Sequence, residues 1–238
     1  MMAENIKENL DEIKIVIGGS SHVEREKNFC VSSGKNVETM GLRENVNINW
    51  VGKGGLQIER VLSDPRKLEK EFMTEVQEVE AKLAIFIDGG NDLDKDTNHL
   101  NMSDEEHAVE VATSMIVVAK HAAPTAKQTY ILSIIPRYKT RNISVDRFLT
   151  KMELCNETLN MLLDKKLREK LGITTILADL EGIEYWKIKG ITYSESDLHR
   201  QDLIHLKHEG QKRLYHEIRK AICVGLENPQ VWHIPRRA

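Results

Sequence analysis

Ile13-Lys14-Ile15-Val16-Ile17-Gly18-Gly19-Ser20-Ser21-His22 carries the first apolar run of the chain and ends it in two glycines and two serines. A short β-branched run that stops at glycine, with a helix start expected near His22, reads as a buried strand entering a strand-to-helix turn. Similar runs follow at 46–51, 83–87, 130–135 and 173–177, the second interrupted by Asn47 and Asn49. Segments of helical character separate most of them. That alternation predicts an α/β protein, a parallel sheet with helices on both faces. The first and third runs end in Gly19-Ser20-Ser21 and Gly89-Gly90-Asn91-Asp92, so polar residues are expected where open α/β sheets hold ligands.

The helices are legible from their ends and faces. Ser103-Asp104-Glu105-Glu106 is a capping-box pattern, followed by Ala108, Val111, Ala112, Met115, Val118 and Ala119 at helical spacing up to Pro124. Phe148, Met152, Cys155, Leu159 and Leu162 form a second stripe. A last helix is expected over 208–224, with Leu214, Ile218, Ala221 and Ile222 inward and Gly225 as its stop. The tail, 227–238, reads as a loosely docked extension.

At 238 residues the chain suits one domain, with its core over 13–224. A net charge of -3 gives no global nucleic-acid footprint. The polar start and the lack of a run of roughly 20 apolar residues predict an intracellular, cytoplasmic protein. Cys30, Cys155 and Cys223 are widely spaced and odd in number, so free thiols are expected rather than disulfides or a zinc site. Neither a cofactor nor a metal is expected.

Four segments carry candidate chemistry. A serine at the turn after the first strand can act as a nucleophile beside a base, its own N–H facing a developing oxyanion. An amide donor is offered by Asn91, and the glycine cluster Gly52-Lys53-Gly54-Gly55 offers backbone N–H groups. Asp202-Leu203-Ile204-His205 puts a carboxylate three residues before an imidazole, a spacing that lets it reach the ring N–H and fix the tautomer that accepts a proton.

In this order the four segments resemble those of the SGNH, or GDSL-type, hydrolase superfamily, over nearly the whole chain. The resemblance is nearest to divergent animal members, some associated with retrotransposons. The matching stretches are Gly19 to Arg25, Trp50 to Gly55, Gly89 to Leu93 and Ile134 to Arg137. It implies a three-layer α/β/α sandwich with a five-stranded parallel sheet and a metal-free serine esterase acting on a small acyl or acetyl ester. By position it implies Ser21 as nucleophile, His205 as general base, Asp202 as its orienting acid, and an oxyanion hole of Ser21, Gly55 and Asn91. The Asp that usually precedes the nucleophile is here Ser20, and Ser20 is itself the alternative nucleophile. His22-Val23 and Arg25 favour the Ser21 register.

The remaining polar residues take plainer readings. Asp92 is expected to be a supporting turn residue, His22 and His199 loop residues, and His208 a solvated helix start. Loops 94–101 and 139–144 are expected to border the substrate. The rival function is a protein- or RNA-binding module that has kept the fold, with basic stretches such as 137–141 and 165–170 as nucleic-acid candidates. Salt-dependent RNA affinity without ester turnover separates the two.

Overall fold

The computed structural model describes residues 11–58, 72, 74–97, 101–122, 124–171, 180–191 and 202–226. Its centre is a five-stranded parallel sheet of β1 (Ile13–Gly19), β2 (Val46–Gly52), β3 (Leu83–Ile87), β4 (Gln128–Leu132) and β5 (Ile183–Trp186), in the order β2-β1-β3-β4-β5. The chain goes out from β1 to β2 and returns on the other side of β1 to β3. The boundary between β1 and β3 is therefore the switch point at which α/β sheets open a crevice.

Alternation within each strand sorts the core into two layers, because successive side chains point to opposite faces. Ile15 and Ile17 of β1 and Ile85 and Ile87 of β3 pack beneath α1 (Ser21–Ser32) and the last helix, α7 (His208–Gly225). Val16, Ala84 and Phe86 face the other way, under α4 (Asp104–Ala122) and α5 (Val145–Leu163). The short helices α2 (Thr74–Glu78), α3 (Gly90–Leu93) and α6 (Lys165–Leu171) complete the described elements. Together these make the α/β/α sandwich.

The expected capping box forms: Glu106 N–H donates to Ser103 Oγ at 3.1 Å, and Ser103 N–H donates to the Glu106 carboxylate at 2.8 Å. In α5 the inward residue of the last turn is Leu163, with Leu162 only partly covered.

Two strands differ from expectation. The apolar run at 130–135 leaves the sheet after Leu132 although Ile134 and Ile135 stay buried. Asn156 Oδ1 takes the Ile134 N–H at 2.9 Å, and Pro136 has no N–H to give, so pairing ends there. The run at 173–177 lies outside the described residues. The fifth place in the sheet belongs to Ile183–Trp186, which pairs with β4 from Thr129↔Ile183 onward.

Candidate active site

The turn after β1 is as tight as its glycines suggest. A Cβ on Gly19, whose φ is +140°, would stand 2.1 Å from the Ile87 carbonyl oxygen at the end of β3. Only glycine lets the two strand ends approach this closely. Ser20 then stands at the N-cap position of α1, buried, with its N–H on Ile87 O at 3.0 Å and its Oγ, which makes no capping bond to the helix, 3.4 Å from the same oxygen. Ser21 is the first helical residue and is half-buried, and its Oγ lies 3.1 Å from His205 Nε2. Of the two serines, Ser21 is the one that meets the imidazole. Its backbone N–H belongs to the first turn of α1, where helical donors lack a partner within the helix.

The segment before α7 brings up His205. Leu203 adopts φ +56°, an uncommon conformation for a branched side chain, and its carbonyl is held by the Tyr138 N–H at 2.7 Å. This kink turns His205 back on Asp202. Asp202 Oδ1 accepts from the N–H groups of Ile204 at 3.0 Å and His205 at 2.9 Å, while Oδ2 lies 2.8 Å from His205 Nδ1. Burial works to raise the Asp202 pKa. The hydrogen bonds from the His205 backbone and ring and from Ile204 outweigh it and hold the carboxyl well below the usual range. An ionised Asp202 needs Nδ1 to carry the proton, which leaves Nε2 bare and facing Ser21 Oγ. Burial lowers the His205 pKa below 6.5, and the Arg25 and Arg137 cations add to that against the opposing pull of Asp202. The imidazole is thus neutral at pH 7 and ready to accept a proton.

Asn91 sits on α3, just past β3, and its amide is clamped at both ends. Arg137 Nη2 donates to Asn91 Oδ1 at 3.0 Å, and Asn91 Nδ2 donates to Leu56 O at 2.7 Å. With the oxygen fixed by Arg137, the amide nitrogen faces the loop after β2, and its second hydrogen remains to be given. That loop holds Gly55, exposed and at φ +72°. It is tied to the rest of the site by Lys53 N–H on Gly19 O at 2.9 Å and Ile58 N–H on Asp92 Oδ2 at 3.0 Å. Asp92 therefore supports the loop from a buried position on α3.

Ser21, Gly55, Asn91 and His205 border one cavity of about 450 Å³, and Asp202 stands behind His205. Both loops expected near the substrate reach it. Asp94 accepts from the Arg141 N–H at 2.9 Å and from the Asn142 N–H at 3.2 Å, and all three residues line the cavity; residues 98–100 fall outside the described set.

Arg137 is the residue whose role sequence reasoning missed. It read as part of a basic stretch open to nucleic acid, but it is 4% exposed and bonded to Asn91. Gly90 makes room for it, since a Cβ there would lie 2.7 Å from Arg137 Nη2. Behind it Asp88 is buried, its pKa pushed up by burial and by neighbouring Asp92. His22 also departs from expectation: it lies on α1, 7% exposed, with its ring centroid 5.7 Å from that of His205. His208 is exposed at the start of α7, and its ring meets Phe29 edge-on. His199 and the tail 227–238 lie outside the described residues, as does the start of the chain before Asp11. The basic stretch at 165–170 falls on α6, which buries no side chain.

Among the described residues no helix is long and apolar enough to cross a membrane, and no three His, Cys, Asp or Glu side chains are grouped to hold a metal ion. The three cysteines are free and buried.

No protein-family model matches this chain, and no curated protein matches it by sequence. Solved structures do match its shape. A catalytic mutant of an acetylxylan esterase from Geobacillus stearothermophilus aligns with a TM-score of 0.55 at 10% identity, covering 96% of this chain and 98% of that one. A serine-to-alanine mutant of an acetyl esterase, with acetate ion, gives 0.52 at 15% identity, covering 91% and 99%. A Bacteroides fragilis protein provisionally described as an acylhydrolase gives 0.54 at 15% identity, covering 92% of each chain. At such identities the likeness shows the shared fold, a five-stranded parallel sheet between helical layers.

Proposed function

We propose that this chain is a serine carboxylic ester hydrolase of the SGNH type, acting on a small acyl or acetyl ester. The observation that carries the proposal is the relay of contacts at the switch point: Ser21 Oγ to His205 Nε2 at 3.1 Å, and His205 Nδ1 to Asp202 Oδ2 at 2.8 Å. The esterase and acylhydrolase descriptions of the structural neighbours point the same way.

In this reading Ser21 Oγ attacks the ester carbonyl carbon as His205 Nε2 takes its proton. Asp202 stabilises the imidazolium that results. The negative charge moves to the carbonyl oxygen, which receives hydrogen bonds from the Ser21 N–H, the Gly55 N–H and the Asn91 amide. When the carbon–oxygen bond to the alcohol breaks, His205 returns the proton to the leaving oxygen and Ser21 is left acylated. A water then gives its proton to His205 and attacks the acyl carbon, and the second collapse releases the acid and restores Ser21. Ser20 replaces the acid that commonly precedes such a nucleophile, but the turn keeps its bond to Ile87 O through the backbone N–H. The proposal treats residues 13–224 as one hydrolase unit.

The test is hydrolysis of p-nitrophenyl acetate and longer-chain esters by purified protein. Turnover lost in Ser21→Ala and His205→Ala but kept in Ser20→Ala is the expected result. Turnover no higher than that of His205→Ala on every chain length would remove the esterase reading and leave a binding module to pursue.

A further inference from the structure

The cavity beside Ser21 has polar walls with an excess of cations. Three guanidiniums, Arg25, Arg137 and Arg141, line it against two carboxylates, Glu24 and Asp94. Two of these five charges are already engaged: Arg137 by Asn91, and Asp94 by the N–H groups of residues 141 and 142. The guanidiniums of Arg25 and Arg141 make no hydrogen bond or ion pair with any described residue. Arg25 is half-buried, and its cation is felt at the His205 imidazole. A half-buried guanidinium without a partner is costly unless a ligand supplies one, and its planar fork suits a carboxylate or phosphate.

Placement is fixed on both sides. Arg25 rides on α1, one helical turn past Ser21. Arg141 is presented from a loop braced by Asp94, by Asn142 Nδ2 on Asp94 O at 2.6 Å and by the Thr140 hydroxyl on the Ile143 carbonyl. Glu24 and Arg141 are both exposed to solvent, where their charges are screened, so half-buried Arg25 is the stronger of the two cations. From this geometry we infer that the ester taken by this site carries an anionic group, a carboxylate or a phosphate, gripped by Arg25 and Arg141 while Ser21 meets the ester carbonyl. The inference rests on the esterase reading for its kinetic consequence; the anion subsite itself is testable by binding.

The experiment compares kcat/KM for 4-acetoxybenzoate and its neutral methyl ester, and for 4-acetoxyphenyl phosphate and its neutral dimethyl ester, in the wild type, Arg25→Gln, Arg141→Gln and the double variant. Taking the anionic-to-neutral ratio relative to the double variant cancels the esters' intrinsic reactivity. A charge-assisted pair is worth about 10- to 100-fold when partly buried and less when exposed, so Arg25→Gln should lower the ratio by about tenfold, Arg141→Gln by a smaller factor, and added salt should lower it in the wild type. Whether the benzoate or the phosphate pair responds more tells which anion fits. In parallel, calorimetry measures 4-acetoxybenzoate and 4-acetoxyphenyl phosphate binding to Ser21→Ala, with and without the two arginine substitutions. At least tenfold weaker binding of one anion without the arginines is expected. An unchanged ratio together with unchanged or undetectable binding of both anions overturns the anion subsite while neutral-ester turnover preserves the esterase reading. No turnover of any ester, with arginine-dependent binding in Ser21→Ala, removes the esterase reading and keeps the subsite.

Discussion

Replacing Asp202 with asparagine separates the charge of this residue from its hydrogen-bond geometry. The asparagine oxygen can keep the two backbone donors, the N–H groups of Ile204 at 3.0 Å and His205 at 2.9 Å, so the kinked loop should survive. An NH2 then stands where Oδ2 now faces His205 Nδ1 at 2.8 Å. It can only donate, so Nδ1 must become the acceptor and the ring proton must move to Nε2. A protonated Nε2 cannot take the proton of Ser21. The comparable change in a well-studied serine protease lowers kcat by about 10⁴, equivalent to about 5 kcal/mol of barrier. Folding stability should change by about 1 kcal/mol or less, because no backbone donor is orphaned. Ester kinetics with urea unfolding on Asp202→Asn and Asp202→Ala makes the assay. The alanine variant loses all three acceptor contacts and should be both inactive and less stable. An asparagine variant that folds normally and turns over ester within tenfold of the wild type would refute the orienting role of Asp202.

Further outcomes follow from the same site and from the core. Asn91→Ala should cost about 100- to 1,000-fold in kcat with KM little changed, as expected for a donor that acts on the oxyanion; a raised KM with kcat unchanged would point instead to ground-state binding. Because the base must be neutral, kcat/KM should rise with pH through the His205 pKa and level off above it, with the midpoint below 6.5. Arg25→Gln removes one of the cations that lower that pKa, so the midpoint in its pH–rate profile should move up, and a downward move would contradict the assignment. Glu26, buried on α1, has its pKa pushed up from 4.5 to about 9 by burial, against the opposing pull of Lys35. The native state keeps the carboxyl protonated while the unfolded chain releases the proton from about 4.5 upward. Its stabilising contribution is thus full below 4.5 and is lost as the pH rises towards about 9, at a slope on the order of 1 kcal/mol per pH unit. Urea unfolding across that range should show the slope in the wild type and a flatter dependence in Glu26→Gln.

Much of this architecture is written locally. The alternation of Ile15, Val16 and Ile17 across the two faces of β1, the glycines that stop it, and the reciprocal cap between Ser103 and Glu106 are short-range signals, and each appears in the structure where the spacing implies. The pairing of Asp202 with His205 is legible for the same reason, since three residues of chain carry both partners. What escapes is set by distant partners. Ile183–Trp186 is a four-residue strand at the sheet edge with Glu184 exposed, and its identity depends on the neighbouring β4 rather than on its own pattern. Arg137 looks like any arginine in a basic stretch until Asn91, 46 positions earlier, supplies the acceptor that buries it. His22 follows the same logic, because its burial depends on where α1 packs and not on the polarity of Ser20 and Ser21 before it. The sequence traces of the Arg137 clamp are the Ile134 to Arg137 stretch of the resemblance, which assigns Arg137 no role, and a glycine at position 90 small enough to admit a guanidinium.

The most direct test of the central claim is tandem mass spectrometry of the protein after reaction with a fluorophosphonate, which forms a stable phosphonyl ester on an activated serine hydroxyl. The relay through Asp202 and His205 predicts a single adduct on Ser21, retained in Ser20→Ala, slowed strongly in His205→Ala and absent in Ser21→Ala. An adduct on Ser20, or none on either serine under conditions that label a control esterase, would contradict it.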